Sequence, residues 1–289
     1  MSAPDRPSFG VRLRAAMDEH GPLCAGIDPH RSLVQAWGLD FDVRGVERYA
    51  RTCVEAFAGR VAAVKPQSAF FELFGSAGIA ALERVVSDLT ASGTLTILDV
   101  KRGDIGTTMQ AYAEAFLAAD APHAPDAITL SPYLGYESLR PAVDLAQSTG
   151  RGVFVLALTS NPEGPGVQHA TLDGISVAGH VVAGASRDNA PAAARGELGS
   201  VGLVVGATVG DAVERLGLGL AAANAPLLAP GVGAQGATGA DLRRVFGEAL
   251  PRVLASTSRE LLGAGPEPAA LIERVRSVTA DLRELVRGT

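Results

Sequence analysis

A chain of 289 residues, 47% of them apolar and 19% charged, can bury a large core, and barrel folds of this length often form one domain. A formal net charge of -6 without Lys/Arg blocks argues against nucleic acid as the main partner, and no run reaches the ~18 apolar residues of a membrane span. Residues 1–10 lack the apolar core of a signal peptide and read as a flexible lead-in, so the expected location is cytoplasmic. Cys24 and Cys53 have no metal-type spacing and read as small buried hydrophobes in a reducing compartment.

Along the chain, short apolar segments alternate with helical patterns. Segment 23–28 ends in Gly26-Ile27-Asp28-Pro29-His30, and segment 61–67 carries Lys65 and Gln67 near its end. Segment 95–101 ends in Leu98-Asp99-Val100-Lys101, followed by Arg102-Gly103-Asp104 and then Ile105-Gly106-Thr107-Thr108, where a Thr is expected to cap the next helix. Further strands are expected at 127–131, 152–158, 201–207, 226–232 and 252–256, the last followed by Ser258 and Arg259. Helical spacing marks 79–90, 107–118, 139–148, 211–217 and 241–249. The Gly- and Pro-rich stretch 161–170 reads as a loop, and 183–200 as a helix end followed by a linker with no assigned function. A final helix over 269–286 alternates apolar and charged positions and is expected to pack outside.

Strands apolar on both faces and separated by helices imply parallel βαβ units. Eight such units predict an α/β fold, a (β/α)₈ TIM barrel forming a single domain over 1–289. An open doubly wound sheet would display a glycine-rich fingerprint after its first strand, and the wording after Gly26 does not fit one. Polar residues gather at the C-terminal strand ends, the face where this architecture builds active sites.

Charges on a buried strand must pair or perform chemistry. Strand side chains alternate faces, so Asp99 and Lys101 point the same way and Val100 the other. With Lys65 on the neighbouring strand, charges alternate positive, negative, positive, and each favours the ionised form of the next. Asp104 stands beyond the strand end. The histidines His30, His123, His169 and His180 have no ligand-like spacing, so no metal site is expected.

The pattern Asp99-x-Lys101-x-x-Asp104 with an upstream strand-end lysine resembles the orotidine 5′-phosphate decarboxylase family, in its longer, actinobacterial-type branch. Supporting stretches are Val64-Lys65-Pro66-Gln67-Ser68-Ala69-Phe70-Phe71-Glu72, Ser131-Pro132-Tyr133-Leu134-Gly135, Thr159-Ser160-Asn161-Pro162 and Ala229-Pro230-Gly231-Val232-Gly233-Ala234-Gln235-Gly236. The resemblance implies cofactor-free decarboxylation of orotidine 5′-monophosphate to UMP, in pyrimidine biosynthesis. It implies a catalytic array of Lys65, Asp99, Lys101 and Asp104, with Lys101 protonating C6. It further implies that Asp28 and Lys65 bind the ribose, and that Ser160 meets the pyrimidine ring, with Thr159 and Asn161 as alternatives. Gln235 and Arg259 would hold the 5′-phosphate. A homodimer with shared sites is implied too, with Asp104, Ile105 and Thr108 reaching the partner's site. Two competing readings are a Mg-dependent sugar-phosphate decarboxylase of the same superfamily and a non-catalytic phosphate-binding barrel. The former usually has an acidic metal ligand at the second strand end, where this chain has Lys65.

Overall fold

A computed structural model describes residues 6–232 and 237–287 of the protein. The eight apolar segments read from the sequence are eight parallel strands, with ends that differ by at most two residues. They are β1 (Leu23–Ile27), β2 (Ala63–Pro66), β3 (Leu95–Arg102), β4 (Ala127–Leu130), β5 (Gly152–Leu158), β6 (Val201–Val205), β7 (Leu227–Pro230) and β8 (Val253–Thr257). They close in chain order, β8 pairing with β1, so the barrel has no free edge.

Two-residue periodicity divides the apolar side chains into two cores. Ala25, Val64, Leu98, Val153, Leu203 and Ala255 face outward to the helices. Cys24, Ala63, Ile97, Ala127, Phe154, Val204, Leu228 and Leu254 fill the interior. Both cysteines are buried and free, as expected of small hydrophobes. The C-terminal helix Pro268–Arg287 lays Leu271, Val275, Val278, Leu282 and Leu285 inward along one face, packing against helix Val43–Phe57 and β1.

The barrel's N-terminal end is closed by a helix not anticipated from the sequence, Phe9–His20. Phe9, Leu13 and Met17, four residues apart, join the interior core. Phe9 meets Phe154 edge-on, with ring centroids 5.9 Å apart at 88°. Two strand glycines make room for these rings. A Cβ on Gly152 would lie 2.2 Å from the Phe9 ring, and one on Gly202 would lie 2.4 Å from that of Phe154. The expectation of a flexible segment over 1–10 is therefore corrected for its described part. Ser8 caps the helix by accepting from the Val11 N–H, Phe9 is fully buried, and Arg6 pairs with Asp126. Residues 1–5 lie outside the described residues.

Two other local expectations change, and one holds. No threonine caps helix Gly106–Leu117: its N-cap is Ile105, and Thr107 and Thr108 sit in the first turn. The stretch 183–200 is, as expected, a helix end followed by a connection: helix Val177–Ala193 ends within it, and its buried Asn189 exchanges hydrogen bonds with the backbone of Val201 at 2.8 and 3.1 Å. That side chain ties the helix to the first residue of β6. The 161–170 loop holds a short helix, Pro165–Gln168, and a two-stranded hairpin follows it, Thr171–Leu172 with Ile175–Ser176. Gln168 fastens the short helix to the end of β5: it accepts from the Thr159 N–H at 2.9 Å and donates to the Thr159 hydroxyl at 2.7 Å.

Candidate active site

At the C-terminal strand ends the apolar interior gives way to a cavity of about 330 Å³, lined among others by Asp28, Lys65, Gln67, Asp99, Lys101, Ser160 and Arg259. Alternation along β3 places Asp99 directly above Ile97 on the inner face. Its carboxylate accepts four hydrogen bonds. Lys65 Nζ and Gln67 Nε2 donate to Oδ2 at 2.8 and 2.9 Å, while Lys101 Nζ and Thr129 Oγ1 donate to Oδ1 at 2.5 and 2.9 Å. Lys65 also lies 3.8 Å from Asp28 Oδ1.

The two lysines differ in exposure. The side chain of Lys65 is 10% exposed and that of Lys101 45%, so of the two lysines lining the cavity Lys101 is the more open. Asp28 is held by Ser258, whose hydroxyl donates to Oδ2 at 2.7 Å, while its buried Oδ1 has no hydrogen-bond partner. Asp28 borders the cavity, and a carboxylate there is an acceptor suited to a ligand hydroxyl. Gly26 permits the arrangement, because a Cβ there would lie 2.6 Å from the Ser258 Cβ.

Burial opposes charge on both members of the Lys65–Asp99 pair, but their mutual attraction is stronger. Asp28 and Asp99 hold the Lys65 ammonium above the ordinary lysine value. Lys65 and Lys101 hold the Asp99 carboxyl well below the ordinary aspartate range. A depressed carboxyl stabilises the fold above its unfolded pKa of about 3.9, and that contribution is lost as pH falls toward the folded value. A raised lysine stabilises below its unfolded pKa of about 10.4, and the contribution is lost as pH rises beyond it. Urea midpoints measured across pH should therefore include a contribution from this pair that is flat from about pH 5 to 9 and declines on both sides. Replacing both residues by neutral isosteres should remove that dependence; an unchanged profile in the double variant would contradict the assignment.

Of the other sequence-derived residues, Arg259 opens a short helix directly after β8 and lines the cavity. Ser160 lines it too, between Thr159 and Asn161. Thr159 Oγ1 donates to Asn161 Oδ1 at 2.6 Å, and Asn161 Nδ2 to Glu163 at 2.9 Å. Those two side chains are committed within the loop, which favours Ser160 as the group turned to a ligand. Gln235 lies outside the described residues; Val232 and Ala237, the described residues on either side of it, form a bridge.

Asp104, Ile105 and Thr108 do not line the cavity of their own chain. Asp104 accepts from the Ile105 N–H at 2.8 Å, Thr108 is exposed and Ile105 is 62% exposed. Within one chain the four-charge array is thus three charges, with the fourth outside. Exposed apolar side chains follow three successive strands at this face: Leu73 after β2, Ile105 after β3, and Tyr133 and Leu134 after β4.

Gln67 and Thr129 complete the Asp99 shell but did not stand out as site residues in the sequence. Gln67 is two residues from Lys65 and so shares its face, a signal that was present. Thr129 lies within a β-rich run where threonine is unremarkable, and only the fold brings it to Asp99.

The family model for the orotidine 5′-phosphate decarboxylase / HUMPS family matches residues 21–275. The chain belongs to that family. A Streptomyces coelicolor protein named orotidine 5′-phosphate decarboxylase is 57% identical over 284 residues, covering 97% of this chain and 99% of the relative. A Corynebacterium glutamicum (strain R) protein of the same name is 46% identical over 275 residues, covering 95% and 97%. Among solved structures, one from Streptomyces avermitilis superposes with a TM-score of 0.93 at 52% identity over 99% of each chain. Leishmania donovani OMP decarboxylase does so with a TM-score of 0.70 at 31% identity, covering 96% of this chain and 98% of its own. No helix among the described residues is long and apolar enough to cross a membrane.

Proposed function

We propose that this chain converts orotidine 5′-monophosphate to UMP without a cofactor, as a step of pyrimidine biosynthesis. The observation that carries the reading is the Lys65–Asp99–Lys101 chain at the cavity floor, in a member of a decarboxylase family.

Breaking the bond between C6 and the carboxylate leaves an electron pair in an sp² orbital of the ring, in the ring plane, where delocalisation is poor. The catalyst must therefore supply charge stabilisation and a proton at that atom. Lys101 Nζ supplies both: its positive charge stabilises the developing carbanion, and its proton passes to C6 as CO₂ leaves. Asp99 faces the substrate carboxylate and disfavours the bound ground state relative to the transition state. Its four donors hold it in place, so its charge cannot swing away when substrate enters.

Asp28 and Lys65 bind the ribose hydroxyls, Ser160 contacts the pyrimidine, and Arg259 with Gln235 grips the 5′-phosphate. Phosphate binding far from C6 supplies remote binding energy that holds the reacting geometry. Asp104, Ile105 and Thr108 complete the site of a second copy in a homodimer. The exposed Leu73, Ile105, Tyr133 and Leu134 around them support this, because apolar groups gathered at one face suit burial against a partner. The setting is the cytoplasm.

A magnesium-dependent reading is opposed by Lys65, whose ammonium stands where a metal ligand would be needed and would repel a cation. The decisive assay follows the ultraviolet absorbance of orotidine 5′-monophosphate mixed with the purified chain in EDTA. Decarboxylation well above background is expected. Loss of activity in EDTA would favour the metal-dependent reading, and binding without turnover would favour a non-catalytic barrel.

A further inference from the structure

We infer that Thr129 is a positioning residue for the proton transfer, its hydroxyl fixing both the backbone and the ammonium of Lys101; this rests on the function proposed above.

The β3–β4 ladder is regular through Ile97–Ala127 and Leu98–Ile128, and the next pair is Arg102–Leu130. Three residues of β3, Asp99 to Lys101, therefore stand opposite Thr129 alone. This bulge takes the Lys101 N–H out of the ladder, and it needs a partner elsewhere. Thr129 supplies the partner, its Oγ1 accepting from Lys101 N at 2.9 Å. The Lys101 backbone has a φ of 45°, the left-handed region that residues with a Cβ seldom adopt. A conformation of that kind persists only where its surroundings hold it.

The same hydroxyl donates its own proton to Asp99 Oδ1 at 2.9 Å, and that oxygen also accepts from Lys101 Nζ. A closed ring results, from the Lys101 N–H to Thr129, on to Asp99, and back to the Lys101 ammonium. Thr129 is 1% exposed, so no bulk water stands ready to replace its hydroxyl. Removing it would release the strained backbone at one end of Lys101 and loosen Asp99 at the other. The proton donor would then no longer be held within reach of one ring carbon.

Thr129→Val keeps the shape and removes the hydroxyl, whereas Thr129→Ser keeps the hydroxyl. The valine variant is expected to lower kcat by about 10- to 100-fold, the penalty of a small misplacement of a reacting group. Its affinity for UMP, measured calorimetrically, should stay within about threefold, because Asp28, Ser160 and Arg259 are untouched. The serine variant should return kcat to within about threefold of the unsubstituted chain. Thr129→Ala, which introduces no bulk, is measured beside them and should match the valine loss, so a misfolded valine variant does not decide the matter.

A valine or alanine variant with unchanged kcat would overturn the role, as would a serine variant as impaired as the valine one. UMP affinity falling in step with kcat would also overturn it, pointing to general damage. If the unsubstituted chain shows no turnover, the decarboxylase reading itself is overturned and this role falls with it. An unsubstituted chain that turns over, with kcat unchanged when the hydroxyl is lost, overturns the role alone.

Discussion

Lys101→Ala should lower turnover of orotidine 5′-monophosphate by at least about 10⁴-fold, since one substitution removes both a general acid and a transition-state charge. Lys101 is the more exposed lysine of the pair and lies at the cavity. Its loss leaves Asp99 three of its four donors, so the variant should fold and still bind UMP. Stopped-assay turnover and UMP titration separate the two effects. Turnover like that of the unsubstituted chain would exclude Lys101 as the proton donor.

The second large effect concerns Asp104. Asp104→Ala alone should also reduce turnover severely, although Asp104 does not line the cavity of its own chain. Mixing inactive Asp104→Ala and Lys101→Ala chains under subunit exchange should then restore about one quarter of the unsubstituted activity. Half of randomly paired dimers are mixed, and each mixed dimer has one site with Lys101 from one chain and Asp104 from the other. A mixture that stays inactive after demonstrated exchange would rule out shared sites.

These outcomes bear on a motif whose spacing is compact and whose geometry is not. Asp99, Lys101 and Asp104 fall within six consecutive residues. Asp99 and Lys101 meet on one side of β3, as the sequence reading held, with Lys101 Nζ 2.5 Å from Asp99 Oδ1, although a bulge over Asp99–Lys101 interrupts the two-residue period between them. Asp104 lies past the strand end, where that period no longer applies and the chain turns away from its own cavity. The fold class was legible for a related reason. Each strand is a short apolar run buried on both faces, and each polar strand end marks the barrel's C-terminal mouth. The N-terminal helix was not legible. Phe9, Leu13 and Met17 make a short apolar stripe with no strong period to mark it among Val11, Ala15 and Ala16, and their value comes from the space that Gly152 and Gly202 leave in distant strands.

By itself, then, the sequence determined the eight-unit barrel, the face holding the site, and the residue types that gather there, because two- and 3.6-residue periods are local properties of the chain. Tertiary structure alone decided that Gln67 and Thr129 join the two lysines around Asp99, that Lys101 is the more exposed of the two lysines, and that Lys101 sits on a bulge steadied by Thr129. Those features depend on register between strands some thirty residues apart, and register is set by how the whole barrel packs and closes.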